Sequence, residues 1–179
     1  MYNACGYEFR RYAYLNQRNS ISSGGISRHR QSVSVYKGTN ELLEKSGVAL
    51  PFEGQASTTT ENRLEKGIKA QVDIFGEGMR EFYKSGADDV KHINLWLADN
   101  CFGDYYTRGG LDYKQREMIT FCFLSAQGGC EPQLTSHAKT NIRIGNDKAF
   151  LIKVVSNCLP YIGYPRSLNA ISCVNKAAE

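Results

Sequence analysis

The 179-residue sequence has no apolar run long enough to span a bilayer. Its longest runs, "FCFL" at 121–124 and "AFLIKVV" at 149–155, are short or broken by charge, far below the roughly 20 residues that a membrane helix needs. The N-terminal "MYNACGYEFRRYAYLN" places its arginines after apolar residues and holds no continuous apolar stretch, so it lacks the order of regions of a signal peptide. The expected location is therefore the cytoplasm, with no membrane partner. Paired cysteine spacings are missing too. Cys5, Cys101, Cys122, Cys130, Cys158 and Cys173 form no C-x-x-C and no Cys/His spacing of the zinc type. No metal site and no disulfide framework is expected, and in a reducing compartment most of these thiols act as small buried hydrophobes. Sustained alternation of apolar and polar residues is also absent, which leaves nothing to build a sheet from and sets the fold class as all-α.

What is present fits one domain with a real core plus an extra segment. Hydrophobic residues make up 41% and charged residues 22%, which is ordinary for a globular chain and argues against disorder throughout. The net charge of +4 is localised: residues 1–34 hold Arg10, Arg11, Arg18, Arg28 and Arg30 against Glu8, and the remainder is balanced. A basic arm can bind phosphates, yet no recognisable nucleic-acid module lies beside it, so nucleic acid is not an expected partner.

Composition divides the chain into residues 1–60 and residues 61–179. In the first part "NSISSGGISRHRQSVS" at 19–34 reads as a linker or extended arm, and "TNELLEKSG" at 39–47 as a short helix closed by Gly47. From Thr60 onward the pattern is helical. "TENRLEKGIKAQVDIFG" starts at a Thr60 cap, places Leu64, Ile68, Val72 and Phe75 on one face, and stops at Gly76. "DDVKHINLWLADNCFG" at 88–103 puts Val90, Ile93, Trp96 and Leu97 on one face and ends near Gly103. A third helix, within 109–129, opens with Asp112 three residues before Gln115, a capping-box spacing, and is apolar on most sides, so it should lie deep in the core. Pro132 suits the first turn of a fourth helix carrying Leu134, Ala138 and Ile142 and ending at Gly145. A fifth starts at an Asn146 cap, and the chain restarts as a helix with Pro165 in a first-turn position.

His137 shares a helix face with Leu134, Ala138, Asn141 and Ile142. An imidazole inside an apolar stripe is either held by a neighbouring helix or exposed to an internal cavity. Glu117 projects from the most buried helix and needs a cation or a donor. Two readings stay open: Arg116 or Arg108 neutralises Glu117, or Glu117 and His137 face one another across two helices and share a proton beside a small pocket. Cys130, about two helical turns before His137, reaches the same pocket or caps the core. Glu131 complements a helix dipole, His29 and His92 read as surface residues, and Trp96, Tyr105 and Tyr106 read as core or interface packing.

"FGDYYTRGGLDYKQREMITFCFLSAQGGCEPQLTSHAKTNIRIG" at 102–145, followed by "YIGYPRSLNAISCV" at 161–174, closely resembles the carboxymuconolactone decarboxylase family, within the alkylhydroperoxidase D-like fold. The resemblance falls on Arg108, Leu111 and Asp112, on Arg116 and Glu117, on His137 and Gly145, and on Tyr161, Gly163, Tyr164 and Pro165. It implies a helical bundle that forms a homo-oligomer, commonly a trimer or hexamer. It further implies a cofactor-free site between helices, often completed by a neighbouring subunit. A small-molecule substrate of the carboxylated lactone type would lose a carboxylate and gain a proton from His137. Glu117 would orient that histidine, while Arg108 and Arg116 would hold substrate carboxylates. The peroxidase-like branch of the fold places C-x-x-C ahead of the histidine; here Cys130 takes the first place and Gln133 the second. A thiol-dependent reading through Cys130 alone, and a non-catalytic oligomeric helical module, are the alternatives. "ACGYEFRRYAYLNQ" at 4–17 echoes the family tail, as though residues 5–18 were a helix left from a preceding half.

Overall fold

The computed structural model describes residues 37–51 and 53–179, and among these the regular structure is helical, with no strand. The fold is all-α, as expected. The helix read at 5–18, the arm at 19–34, its arginines, Cys5 and His29 lie outside the described residues. The chain divides into residues 1–55 and residues 56–179, a boundary slightly ahead of the one drawn from composition.

In the first unit residues 37–45 form a helix, α1. Gly47, at φ 75°, closes it as expected. The Gly47 N–H donates to Glu44 O at 2.9 Å and the Val48 N–H reaches back to Leu43 O at 2.9 Å. A left-handed residue just past the last turn is what lets the final carbonyls be satisfied this way.

The second unit opens with α2, Arg63–Phe75. Thr60 does not cap it: Thr60 Oγ1 pairs with Glu61 Oε1 at 2.6 Å, and Asn62, in the cap position, accepts the Thr59 N–H at 2.9 Å. Nor does the expected stripe go innermost. Gly67, Ala70, Gln71 and Ile74 are buried, and Leu64, Ile68, Val72 and Phe75 only half-buried. The reason is close backbone approach: a Cβ on Gly67 would overlap the Ala98 carbonyl, and one on Gly103 would overlap the Arg63 carbonyl. The stripe of small residues therefore faces the neighbouring helix.

That neighbour begins as α3, Lys91–Trp96, and widens into a π-helix over Leu97–Tyr106. It runs past Gly103, because this glycine serves packing rather than termination. Its inner side is Ala98, Phe102, Gly103 and Tyr106, while Ile93 and Trp96 of the expected face are 53% and 59% exposed. Arg63 fastens α2 to the π-helix through a two-pronged contact with Asp99 at 2.9 and 2.8 Å and a longer one to Asp104 at 3.4 Å.

Helix α4, Tyr113–Gln127, starts at the expected capping box: the Gln115 N–H donates to Asp112 Oδ1 at 2.8 Å and the Asp112 N–H to Gln115 Oε1 at 3.0 Å. Helix α5, Glu131–Arg143, has Pro132 in its first turn and buries Leu134 and Ala138. Helix α6, Lys148–Ala177, is capped by Asp147, whose Oδ1 accepts the Phe150 N–H at 2.7 Å. Asn146, the expected cap, instead donates to Lys114 O at 2.9 Å and Asn141 Oδ1 at 2.8 Å. Gly163, at φ 75°, interrupts α6 just before Pro165, dividing it where the sequence restarts.

Two apolar clusters result. One joins Phe121, Leu134, Leu151, Val155 and Val174 from α4, α5 and α6. The other joins Ala70, Ile74, Phe102 and Tyr106 from α2 and the π-helix. No helix among the described residues is long and apolar enough to cross a membrane.

Candidate active site

Glu117 lies one turn beyond the capping box that fixes the start of α4, and its side chain is fully buried. Each of its oxygens has a partner. Tyr106, on the last turn of the π-helix, donates from Oη to Oε1 at 2.8 Å, and His137 Nδ1 on α5 lies 2.7 Å from Oε2. Thr120 Oγ1 is 2.6 Å from Tyr106 Oη. Because the tyrosine proton goes to Glu117, Thr120 donates to it. A carboxylate only accepts, so Nδ1 carries the proton that faces Glu117, and Nε2 is left as the imidazole atom able to exchange one. The side chain of His137 is 18% exposed, and its ring meets Phe75 edge to face at 5.3 Å. Phe75 in turn stacks edge to face on Phe102 at 5.7 Å.

The backbone beneath the pair is fixed by Asn141. Its Nδ2 donates to Glu117 O at 3.0 Å and His137 O at 2.8 Å, while Oδ1 accepts from Asn146. A single buried amide thus ties α5 to α4 at the height of the Glu117–His137 pair. Such a connected polar network is rigid because every member would lose a partner if one moved.

The remaining expected site residues go elsewhere. Arg116 is buried, and its guanidinium holds the turn ahead of α4: Nε donates to Leu111 O at 3.2 Å, and Nη2 donates to Gly109 O at 3.2 Å and to Arg108 O. The Glu117 carboxylate is held by Tyr106 on one oxygen and His137 on the other. Cys130 Sγ donates to Leu124 O at 3.4 Å, and burial, helped by Glu131 and Cys173, pushes its thiol up. None of its described contacts is with His137 or Glu117. The thiol that feels the charge of Glu117 is that of Cys101, which burial first and Glu117 second push up to about 11. A thiol so disposed stays protonated and inert.

Arg108 lines a cavity of about 530 Å³ with Lys66, Lys69, Tyr106, Asp112 and Tyr113 among its walls. Three cations against one carboxylate give it a positive character. Lys69 pairs with Asp73 at 2.6 Å and Lys66 donates to Ser57 O, whereas Arg108 Nε is buried with no hydrogen-bond partner among the described residues. Tyr106 belongs both to this cavity and to the Glu117 network; Glu117 and His137 are not in its lining. Among the described residues no cluster of three His, Cys, Asp or Glu is placed to hold a metal ion.

Sequence reasoning read Tyr106 as packing and did not single out Thr120, Asn141, Lys66 or Lys69, which the structure places around Glu117, beneath the pair or in the cavity wall. Thr120 sits three residues after Glu117 and Asn141 four after His137, so both shared a face with a chosen residue. Tyr106 left no comparable signal, because a π-helix and a turn place it. The model of the carboxymuconolactone decarboxylase family matches residues 94–176, a span that includes Tyr106, Arg108, Glu117 and His137. No curated protein matches the chain.

Proposed function

We propose, from the match of residues 94–176 to the carboxymuconolactone decarboxylase family model, that the protein is a small-molecule enzyme using His137 as its acid–base group, without a cofactor, on a carboxylated lactone or a related acid. The observation that carries the reading is the 2.7 Å contact between His137 Nδ1 and a fully buried Glu117. A carboxylate on Nδ1 fixes the ring orientation and stabilises the imidazolium, so that Nε2 both takes and delivers a proton. Tyr106 and Thr120 keep Glu117 in place.

In this reading the bond between the ring carbon and the departing carboxylate breaks, carbon dioxide leaves, and the electron pair stays on the ring carbon. The protonated Nε2 then delivers its proton to that carbon, and solvent restores it. Arg108, with its unpartnered buried Nε, receives a carboxylate that the substrate retains. Arg116 contributes through the 108–111 turn that it anchors. Self-assembly as a trimer or hexamer, with a neighbouring subunit completing the site, belongs to the same proposal.

The test is turnover of carboxylated muconolactone-type substrates by His137→Ala and Cys130→Ser. His137→Ala should lower kcat by about 10²- to 10⁴-fold, the usual worth of a positioned acid–base group. Cys130→Ser should leave kcat unchanged. Full activity in His137→Ala would overturn the assignment, and loss of activity in Cys130→Ser would transfer the chemistry to the thiol.

A further inference from the structure

The two apolar clusters meet at the Glu117–His137 pair. Glu117 and His137 stand on helices of the first cluster, and Tyr106 and Phe75 reach them from the cluster of α2 and the π-helix. Whatever fastens α2 to α5 therefore helps to shape the site. Phe75 is the last residue of α2, and its ring stands edge to face against the His137 imidazole at 5.3 Å and against Phe102 at 5.7 Å. Beyond it the chain turns away at Gly76, whose φ is 104° and whose N–H returns to Val72 O at 2.8 Å. The final carbonyls of a helix have no N–H of their own helix to accept from. Two of them are met from α5: Arg143 Nη1 donates to Asp73 O at 2.9 Å and to Ile74 O at 2.6 Å. A guanidinium suits this place, being planar, permanently charged and set at the negative end of the α2 dipole. Arg143 is the last residue of the helix that carries His137. One helix thus presents the imidazole and, at its end, holds the turn that presents the ring packed against it. Phe75 lies ahead of residues 94–176, so this support comes from outside the span matched by the family model.

We propose that Arg143 is a positioning residue for His137: by tying the end of α2 to the end of α5, it holds the Phe75 ring against the imidazole and so limits the approach to Nε2. The side chain of His137 keeps 18% of its surface exposed. With Glu117 on Nδ1 and Phe75 against the ring, the imidazole has one orientation and one side open. Without Arg143 the last turn of α2 loses the donor to two of its carbonyls, and a helix end held by fewer bonds opens more often. Phe75 then leaves the ring and water enters beside it. The effect on turnover rests on the proposed acid–base role of His137; the effect on access does not.

Diethyl pyrocarbonate acylates the unprotonated imidazole nitrogen and reads access to Nε2 without any substrate. Followed on the full chain by peptide mass mapping, His137 labelling should rise about tenfold in Arg143→Gln, as expected of an easier local opening, while His92 labelling stays unchanged. Arg143→Lys keeps the charge but not the planar fork, so its rise should be smaller, about threefold. Phe75→Leu should raise the labelling as Arg143→Gln does, and the double variant should rise no further than either alone, because both changes break one chain of contacts. On the proposed function, kcat in Arg143→Gln should fall about tenfold with KM near wild type, a loss of positioning and not of binding. His137 labelling indifferent to Arg143→Gln, or effects of the two variants that add, would overturn the proposal and leave Arg143 as a helix cap alone. Full turnover in His137→Ala would refute the acid–base reading, and the labelling would still decide for or against the action of Arg143 through Phe75. Should Arg143→Gln fail to fold, Arg143→Lys carries the same comparison, its rise being absent in the Phe75→Leu background if the proposal holds and present if it does not.

Discussion

Glu117 shows how much one side chain depends on partners the chain supplies from other elements. Buried without them, its charge would be untenable. With Tyr106 on one oxygen and His137 on the other it becomes a fixed acceptor that sets the histidine's tautomer. Tyr106→Phe removes the first donor and keeps the ring in its cluster with Phe102. Leaving a buried acceptor short of one bond costs about 1–3 kcal/mol, so urea unfolding should report a loss of that size. On the proposed function, kcat should fall about tenfold, in line with about 1.4 kcal/mol of lost positioning, while KM stays near wild type because Tyr106 Oη is turned toward Glu117. A KM effect with unchanged kcat would instead make Tyr106 part of the substrate cavity and not a support of the pair. His137 and Glu117 were legible because each had a helical face to be read from; the tyrosine on the other oxygen of Glu117 was not, since its position comes from three-dimensional closure.

At the scale of elements, one capping box and several breaks read well, while the Thr60 and Asn146 caps and the packing face of α2 did not. The Asp112–Gln115 box, Pro132 and the breaks at Gly47, Gly145 and Gly163 follow from local chemistry, which a short stretch carries in full. The face of α2 is different. Apolar spacing chose Leu64, Ile68, Val72 and Phe75, yet the inner contact is decided by where two backbones approach, and only glycine permits that approach at Gly67 and Gly103. A hydrophobic pattern has no register for the absence of a side chain. Gly67→Ala puts a methyl group into the Ala98 carbonyl, which belongs to backbone and cannot swing aside. Overpacking of this kind costs about 1–3 kcal/mol or more, although the same change would gain close to 1 kcal/mol in an exposed helix. A fall in melting temperature is therefore expected; a rise would show that α2 and the π-helix can separate freely. Because the π-helix carries Tyr106, the variant should also lower kcat on the proposed function.

For the whole molecule, the informative feature is the apolar surface left outside both clusters. Val90, Ile93, Trp96 and Leu97 share a face of α3 and the start of the π-helix, and Trp96 keeps 59% of its surface exposed, with the His92 ring edge to face against it at 4.8 Å. Around the break in α6, Tyr161, Tyr164 and Leu168 are 89%, 69% and 61% exposed. Periodicity identified the first of these faces as apolar and read Trp96 as core or interface packing, because a sequence does not distinguish burial within one chain from burial between copies. Exposed apolar area on this scale is unfavourable in water and is relieved by association. Light scattering on the purified chain should give a mass three or six times 20.0 kDa. Ile93→Asp with Trp96→Asp should reduce it to a single chain with unchanged helical circular dichroism, since neither side chain supports either buried cluster. If a neighbouring subunit completes the site, the dissociated variant loses turnover although His137, Glu117 and Tyr106 are intact. Full turnover in the dissociated variant would place the entire site within one chain, and a wild-type mass of 20.0 kDa would refute self-assembly through these faces.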